Sequence, residues 1–336
     1  MKGIKYYIFI RLLTIIPTVF ILLTVIFFIL RILPGDPITA MVGQKVPPEV
    51  IEKLRAEAGL DKPLYIQYIN YLKNVIQGDF GHSLIWGKRP VIEEILEKFP
   101  ATLELAISSF FISVIIGIFT GTLAGFKKNT KLDILLRIYG IITYTLFIPW
   151  FGMLLQMIFG VYLKWLPVGG RIEAGLEPTY ITGLYVIDSI LTLNLASLKS
   201  AVIHLLLPSI TLGIVLSGAY TRIVRNNVVE VLSQDFILSY KARGISNTRI
   251  VYHTIKNAFI PVITMMGLQF AILLAGAVLT ETTFAWPGIG TFLLERIQYR
   301  DYPCVQGVII FYALFVAFIS LIVDIIYVWL DPRVKY

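Results

Sequence analysis

Six long apolar runs constrain this 336-residue chain more than any other feature of its sequence. They cover about residues 12–30, 101–125, 134–163, 202–220, 260–280 and 305–330. A helix needs about 20 apolar residues to cross the hydrocarbon core of a bilayer, and each run reaches roughly that length. The sequence therefore predicts an all-α polytopic membrane protein with six transmembrane helices, in keeping with a mean hydropathy of +0.79.

Lys and Arg are distributed unevenly between the segments that join these runs. One set of segments carries 15 basic and four acidic residues, whereas the opposite set carries 14 basic and 15 acidic residues. Segments rich in Lys and Arg beside spans remain in the cytoplasm, and an even number of spans then makes both termini cytoplasmic. The first run is longer than a signal-peptide core and lacks a good cleavage site, so it is expected to stay as a span.

These boundaries divide the chain into four parts. They are an N-terminal segment with the first span (1–33), an outer loop region (34–100), a five-span core (101–330) that includes a cytoplasmic segment (222–259), and a cytoplasmic tail (331–336). The excess of basic residues serves membrane orientation, so nucleic-acid binding is not expected. Cys304 is the one cysteine and is expected to pack, and the three histidines lie too far apart to predict a metal site.

The first outer loop opens with Leu33-Pro34-Gly35-Asp36-Pro37, which ends the first helix abruptly. Two short helices follow in the prediction, at 48–58, with Gly59 as its stop, and at 63–76. Tyr65, Tyr68 and Tyr71 give the second helix an aromatic face. We expect this face to pack against the protein, and a position on the membrane surface is the alternative.

The segment from Val228 to Pro261 is basic, helix-patterned and too long for a plain connection between two spans. Its periodicity predicts a helix over 227–243, a stop at Gly244, and a second helix whose N-terminus the side chain of Ser246 caps. Two helices joined at this corner would form a short, rigid knob on the cytoplasmic side, which suits docking into a groove.

This segment is similar to the cytoplasmic signature of ABC importer permeases, which docks on an ATPase subunit. That signature has a Glu-Ala-Ala triplet, a Gly six positions after the Glu, and a later Ile-x-Leu-Pro. Gly244 matches the Gly of this signature. Leu238-Ser239-Tyr240 stands in place of the Glu-Ala-Ala triplet, and Thr254-x-Lys256-Asn257 stands in place of the Ile-x-Leu-Pro. The resemblance implies ATPase-coupling roles for Gln234, Asp235, Tyr240, Ala242, Arg243, Gly244, Ile245 and Ser246.

An ordered set of further motifs resembles the dipeptide/oligopeptide/nickel permeases, in the subunit type with an LPGDP element after its first span. The set includes Gly59-Leu60-Asp61-Lys62-Pro63-Leu64, Gln77-Gly78-Asp79-Phe80-Gly81, Pro100-Ala101-Thr102-Leu103-Glu104-Leu105, Trp165-Leu166-Pro167, Glu281-Thr282-Thr283-Phe284-Ala285-Trp286-Pro287-Gly288, Arg300-Asp301-Tyr302-Pro303, Val305-Gln306-Gly307 and Asp331-Pro332-Arg333. The likeness runs nearly end to end and is weakest at about 171–199.

The resemblance implies a type I ABC importer permease fold in the prokaryotic cytoplasmic membrane. It also implies three kinds of partner: a second homologous permease, two cytoplasmic ABC ATPases that bind ATP and Mg, and an external substrate-binding protein. This chain would hold no cofactor and catalyse no reaction, in line with its lack of a G-x-x-x-x-G-K-[ST] phosphate loop. Peptides are the expected substrate, and nickel chelates, glutathione and sugars are the alternatives.

Ionisable and polar residues inside the runs are candidates for the translocation path. Glu104 is open between a path role and a structural role, and Asp324 is expected to be structural. In the third run Tyr144, Pro149 and Gln156 are path candidates, with Pro149 permitting a kink, and plain packing is the alternative. A re-entrant turn that acts as an outer gate is expected from Glu281, Thr282, Trp286, Pro287 and Gly288.

Two other classes of function are weighed against an importer subunit. A secondary transporter driven by an ion gradient would need acidic or His relays and often shows inverted repeats, whereas this chain has two carboxylates inside its runs and no evident repeat. An intramembrane protease is disfavoured because Ser217-Gly218 lacks the G-x-S-x-G frame. Neither mechanism requires the large cytoplasmic knob around Gly244.

Overall fold

The computed structural model describes residues 4–32, 38, 47–57, 59–85 and 89–330. Regular structure in these residues is helical, apart from one β-bridge between His82 and Pro90. The helices are α1 (Ile4–Ile32), α2 (Pro48–Glu57), α3 (Leu64–Ile76), α4 (Val91–Phe126), α5 (Lys131–Thr145), α6 (Ile148–Leu155), α7 (Tyr185–Leu191), α8 (Leu195–Leu232), α9 (Asp235–Ala242), α10 (Asn247–Thr283), α11 (Ile289–Gln298) and α12 (Tyr302–Leu330). A π-helical stretch, Gln156–Tyr162, continues α6.

Four stretches of the described helices are long and apolar enough to cross a membrane: Leu13–Ile32, Val91–Phe126, Leu195–Leu232 and Tyr302–Val323. A fifth candidate is the pair Lys131–Thr145 and Ile148–Tyr162, whose two parts meet at 104°. The fifth predicted run, 260–280, lies within α10, a helix of 37 residues in which several side chains are outside the described set. The count of six spans therefore stays a prediction.

The third predicted run is broken, and Pro149 does not kink it in the way we expected. Helix α5 ends at Thr145, Leu146 and Phe147 are extended, and Pro149 lies in the first turn of the new helix α6. Proline lacks the N–H that would continue the hydrogen bonding of α5, but the first turn of a helix tolerates it. The interruption therefore precedes Pro149, and it is a full corner instead of a kink.

Both short helices predicted in the first outer loop are present as α2 and α3. Gly59 adopts a φ of +67°, and the amides of Gly59 and Leu60 bond back to Ala56 and Arg55, which ends α2 as expected. The predicted last residue of α2, Ala58, and the element 33–37 lie outside the described residues. The aromatic face of α3 packs in part, since the rings of Tyr68 and Tyr71 contact Phe27 of α1.

The described chain forms two compact units, and the first comprises Met1–Pro100 and Gly288–Phe318. Its buried core consists of Val91, Ile95, Ile289, Phe292, Cys304 and Val308. The packing role expected of Cys304 is confirmed, because its side chain is fully buried in this cluster. A buried ion pair joins Arg296 of α11 to Glu94 of α4 at 3.0 Å.

Three of the sequence motifs meet in this first unit. The hydroxyl of Ser83 donates to the carboxylate of Asp301 at 2.6 Å, which ties the loop after α3 to the start of α12. A Cβ on Gly307 would lie 2.5 Å from Val91 and 3.3 Å from Phe80, so only glycine allows this approach. These motifs, which are separate in sequence, therefore lie in one packed region.

The second unit comprises Ala101–Pro287 and Ile319–Tyr336. Helix α8 is central, and α4 packs closely against it, because a Cβ on Gly121 would lie 2.7 Å from the backbone oxygen of Thr221. Hydroxyl pairs Ser108–Ser209 and Thr120–Thr221, each at 2.7 Å, bridge the same two helices. Small residues and hydroxyl pairs are what allow helices to associate closely within a membrane.

Helix α8 also contacts α5 and α10 in the second unit. The hydroxyls of Tyr139 and Ser217 lie 2.6 Å apart between α5 and α8. Towards its C-terminus, α8 forms an apolar cluster with α10 that contains Val224, Val228, Val231, Ala258 and Val262. This cluster forms the base of the predicted coupling segment.

Candidate translocation and coupling sites

The predicted coupling segment has one more corner than its periodicity indicated. We expected a helix over 227–243, and this was wrong, since α8 ends at Leu232 and α9 begins at Asp235. Gln234 is extended between them. The corner places Phe236 against the apolar cluster and buries Ile237. One straight helix would not bury these two apolar side chains, so the corner adds hydrophobic stabilisation.

The second corner lies where it was predicted, at Gly244. Its φ of +69° is in the left-handed region, which favours glycine, and the amides of Gly244 and Ile245 bond to the carbonyls of Lys241 and Tyr240. Ser246 occupies the N-cap position of α10 as expected, but its side chain makes no capping hydrogen bond. The added prediction of a Ser246 capping oxygen was therefore wrong.

Most of the predicted coupling residues are exposed around this corner. Gln234, Asp235, Ala242, Arg243, Gly244 and Ser246 are exposed, and Ile245 is half-buried. Tyr240 is half-buried, and its ring lies 5.6 Å from that of Phe236 and 5.2 Å from that of His253, so it also braces α9 against α10. Leu238 is 72% exposed on the same helix.

Glu104 is engaged in a buried ion pair. Its carboxylate accepts two bonds from Arg171, at 2.7 and 3.0 Å, and one from the amide of Val186 at 2.8 Å. Both side chains are only 7% exposed. Arg171 also donates to the carbonyl of Gly183 at 2.7 Å and lies 3.7 Å from the ring centroid of Tyr185. Glu104 thus anchors the loop that follows the third run.

Arg171 is the functional-site residue that sequence reasoning missed. A buried carboxylate requires a cation or hydrogen-bond donors, so Glu104 itself indicated that a partner exists. Only the fold could identify the partner, because 67 residues separate the two side chains in sequence. Asp324, the other carboxylate noted inside a run, has its side chain outside the described residues.

The expected gate residues Glu281 and Trp286 are fully buried, and both form hydrogen bonds to residues of α4. The hydroxyl of Thr102 donates to Glu281 at 2.6 Å, and the indole N–H of Trp286 donates to the carbonyl of Ala101 at 2.8 Å. The amide of Trp286 also bonds to the carbonyl of Glu281 at 2.8 Å. Two motifs that resemble the permease family, at 100–105 and 281–288, therefore meet here.

The remaining gate and path candidates have separate environments. Thr282 donates to carbonyls of its own helix, Pro287 is exposed, and Gly288 precedes α11 as its N-cap. Gln156 links a loop to the C-terminal end of α10 by donating to the carbonyl of Val168 at 2.6 Å and to that of Thr283 at 3.0 Å. The outer gate at these residues stays a prediction.

Tyr144 lines a cavity of about 230 Å³ in the second unit. The cavity is lined by Ala124, Leu136, Arg137, Gly140, Ile141, Tyr144, Thr145, Gly218, Ala219, Thr221, Arg222, Arg225 and Asn226. Tyr144 is 62% exposed, and its ring centroid lies 5.6 Å from the guanidinium of Arg222. Arg225 is held at the same place by two 2.9 Å bonds to the buried Asp133.

Asp188 organises the loop that Arg171 contacts. Its carboxylate accepts the hydroxyl of Thr182 at 2.6 Å and the amides of Ile181, Thr182 and Gly183 at 2.8–3.3 Å. Burial acts to raise the pKa of Asp188, but these four hydrogen bonds outweigh it and hold the pKa below its ordinary value. A charged Asp188 therefore fixes the turn before α7.

Comparison with known families identifies the family of the chain. Residues 113–336 match the family described as binding-protein-dependent transport system inner membrane component. Residues 4–106 match the N-terminal part of the corresponding membrane component. The chain belongs to this family. It is a multi-pass permease subunit of an ABC importer in the bacterial inner membrane, which rules out the alternatives of a secondary transporter and an intramembrane protease.

Similar curated proteins extend over almost the whole chain. A di/tripeptide transport system permease from Pseudomonas aeruginosa is 40% identical over 328 residues, 97% of each chain. A probable D,D-dipeptide transport system permease from Escherichia coli is 39% identical over 310 residues, covering 92% of this chain and 91% of its own. A glutathione transport system permease from Escherichia coli is 37% identical over 334 residues, 98% and 99% of the two chains.

The family also defines the part that this chain has in the transport system. A permease subunit is the membrane component of an ABC importer. Importers of this family also include an ATPase and a binding protein. The expectation that this chain is not itself an enzyme is confirmed by the family assignment.

Proposed function

We propose that this chain forms half of the translocation pathway of an importer for short peptides, with dipeptides as the principal substrates. The support is the group of relatives named for di/tripeptides, dipeptides and glutathione, at 37–40% identity. Glutathione is itself a short peptide, so these names share one substrate class. Nickel chelates and sugars are the alternatives, because closely similar permeases handle them and the binding protein makes the main selection.

The proposed assembly contains this permease, a second homologous permease, two cytoplasmic ABC ATPases and an external substrate-binding protein. ATP and Mg would bind to the ATPases alone. Closing of the ATPases on ATP would draw the coupling segments together and turn the pathway from inward-facing to outward-facing.

The observation that carries the coupling role is the exposed corner at Gly244. Its surface combines Arg243, Asp235 and the exposed apolar Leu238. Such a mixed patch on a braced helix suits a groove in a partner. Firm attachment to the spans is needed to transmit a movement, and the cluster of Val224, Val228 and Ala258 beneath α9 would provide it.

For the pathway itself, we propose the face of α5 and α8 that lines the cavity around Tyr144. That face carries Arg222 and Asn226 beside apolar residues, so it offers polar groups to a peptide in transit. The outer gate is proposed at 281–288, where Glu281 and Trp286 are fixed by α4 and Pro287 is exposed.

The test replaces Gly244 with valine in the complete importer. We expect the complex to assemble and the ATPases to hydrolyse ATP, while uptake of a labelled dipeptide is lost, because the corner no longer fits its groove. Assembly, ATP hydrolysis and uptake are measured on the same preparation in proteoliposomes.

Gly59→Val is the matched control for this test. Gly59 has a φ of +67° and Gly244 of +69°, and a Cβ at either position would meet no atom within 4 Å. The two variants therefore carry the same backbone strain, of about 1–2 kcal/mol, and differ only in location. Normal uptake by Gly244→Val, or an equal loss in both variants, would refute the coupling role.

A further inference from the structure

Helix α3 (Leu64–Ile76) is attached to α1 by one of its faces. The hydroxyls of Tyr68 and Thr24 lie 2.6 Å apart, and the rings of Tyr68 and Tyr71 lie 5.2 and 5.4 Å from Phe27. Yet α3 contains no buried residue. Much of its remaining surface is thus left open by the described part of the chain.

The open surface of α3 divides into an apolar face and a polar face. At 3.6 residues per turn, Tyr65, Ile69 and Ile76 fall within about 40° of one another. They are 67%, 60% and 85% exposed. Asn70 and Asn74 lie at least about 100° away from this stripe and are also exposed. Helix α3 therefore has three faces, one on α1, one apolar and one polar.

The attachment lies at the depth of a membrane-spanning stretch. Thr24 is eight residues before Ile32, the last residue of the apolar stretch Leu13–Ile32, which is about 12 Å along the helix. In the same part of α1, Phe28, Ile29 and Ile32 are 40%, 52% and 78% exposed. The ring of Phe28 lies 5.7 Å from that of Tyr68, so the exposed apolar surface passes without a gap from α1 to α3.

We propose that α3 is an interfacial helix that lies in the membrane surface beside the end of α1. Tyr65, Ile69 and Ile76 enter the boundary between lipid headgroups and acyl chains, and Asn70 and Asn74 face water. Amphipathic helices in this position insert their apolar face about 5–10 Å into that boundary. Tyrosine favours this region, and the long stem of Lys73 can extend along it towards water.

A lipid surface fits this face better than a protein partner does. The face begins where the lipid-depth surface of α1 ends, and its attachment through Tyr68 reaches down into the apolar stretch of that helix. Contact with lipid would fix the height of the loop region around α3 relative to the bilayer. It does not depend on the peptide substrate or on the ATPases.

Spin labels on single introduced cysteines test the proposal in the complete importer, reconstituted into bilayer nanodiscs. The labelled positions are Tyr65→Cys, Ile69→Cys and Ile76→Cys, and the matched controls are Asn70→Cys and Asn74→Cys. The unmodified protein serves as the labelling blank, because Cys304 is the one cysteine and is fully buried. Cys304→Ala is the alternative background.

Collision rates with oxygen, which partitions into lipid, are compared with those of a water-soluble nickel chelate. We expect the ratio of oxygen to nickel collisions at positions 65, 69 and 76 to exceed that at 70 and 74 at least about threefold, because only the first set enters the acyl boundary. Equal ratios at all five positions would show that α3 stands in water and would overturn the proposal. Exclusion of both reagents from 65, 69 and 76 would also overturn it, in favour of a protein covering this face.

Discussion

At the scale of single residues, Glu104 and Arg171 form a buried ion pair in the second unit. Each is 7% exposed, so both charges have left water, and they are compensated by their mutual bonds, by those of Val186 and Gly183, and by the ring of Tyr185 beside Arg171. A buried pair of this kind adds little net stability, but removal of one partner leaves an uncompensated charge. The pair therefore serves to specify where the loop at 171–188 attaches.

Replacing Arg171 with methionine should destabilise the permease by about 3–5 kcal/mol, because Glu104 would remain buried without its cation. Adding Glu104→Gln should recover much of this loss, since the uncompensated charge is then removed. Thermal unfolding of the purified complex measures both effects.

The control for this prediction is Arg89→Met, which breaks an ion pair with Glu97 in which the side chains are 52% and 48% exposed. An exposed pair is worth about 0–1 kcal/mol, so the control should be nearly neutral. Equal losses for Arg171→Met and Arg89→Met would contradict the importance of burial at Glu104.

Asp188 makes a prediction about pH. Its pKa is lowered in the folded protein from an ordinary value of 3.8, so the unfolded chain binds a proton more readily. The stabilisation from Asp188 is then full above pH 3.8 and is lost as the pH falls through the lowered pKa. Hydrogen exchange at residues 181–183 should be faster in Asp188→Asn than in the unmodified protein at neutral pH, and the difference in stability between the two should vanish in strong acid. A constant difference down to pH 2 would contradict this assignment.

At the scale of elements, the contact between α4 and α8 depends on glycines spaced four residues apart. Gly117, Gly121 and Gly125 lie on one face of α4, and a Cβ on any of them would overlap with α8. At Gly121 the atom in the way is the backbone oxygen of Thr221, which cannot rotate aside as a side chain can. The two helices would have to separate, and the bonded hydroxyls of Thr120 and Thr221 would separate with them.

Gly121→Val should therefore destabilise the permease by about 1–3 kcal/mol or more, as overpacking does in a close-packed interior. Phe119→Ala is the control on the same helix, because Phe119 is 65% exposed and should change stability by less than about 0.5 kcal/mol. Both are measured as shifts in thermal unfolding of the complex. If Gly121→Val unfolds like the unmodified protein, the contact between α4 and α8 is looser than described.

The ends of elements show how far the sequence could predict this fold. Gly59 and Gly244 correctly marked the ends of α2 and α9, because a left-handed residue after a helix is a local requirement that one residue type meets best. The corner at Ser233 and Gln234 had no such signal. It exists because Phe236 and Ile237 bury themselves against residues elsewhere in the chain. The same holds for the site, where Glu104 was predicted and its partner Arg171 was not.

At the scale of the whole molecule, the break between α5 and α6 leaves two topologies open. The pair meets at 104°, so it is either a broken span or a re-entrant loop. In the first case the loops before and after it, around Lys128 and Tyr180, lie on opposite sides of the membrane. In the second they lie on the same side.

Charge favours the broken span. Lys127 and Lys128 precede the pair and Lys131 is its first residue, whereas the segment after it, 164–201, balances its basic residues with acidic ones. Basic clusters beside spans stay in the cytoplasm, and a balanced loop can cross. A re-entrant pair would also leave an odd number of crossings in the six-run prediction and would put the two termini on opposite sides.

We therefore expect Tyr180→Cys to react with a membrane-impermeant maleimide in intact cells, and Lys128→Cys to react only after the membrane is permeabilised. Both positions are exposed, so the reaction of each cysteine depends on its side of the membrane and not on packing. The buried Cys304 contributes no background labelling. Arg243→Cys, at the proposed coupling corner, is the reference for the cytoplasmic side and should behave like Lys128→Cys. If Tyr180→Cys also reacts only after permeabilisation, the pair is re-entrant, and the loop held by Glu104 and Arg171 faces the ATPases instead of the binding protein.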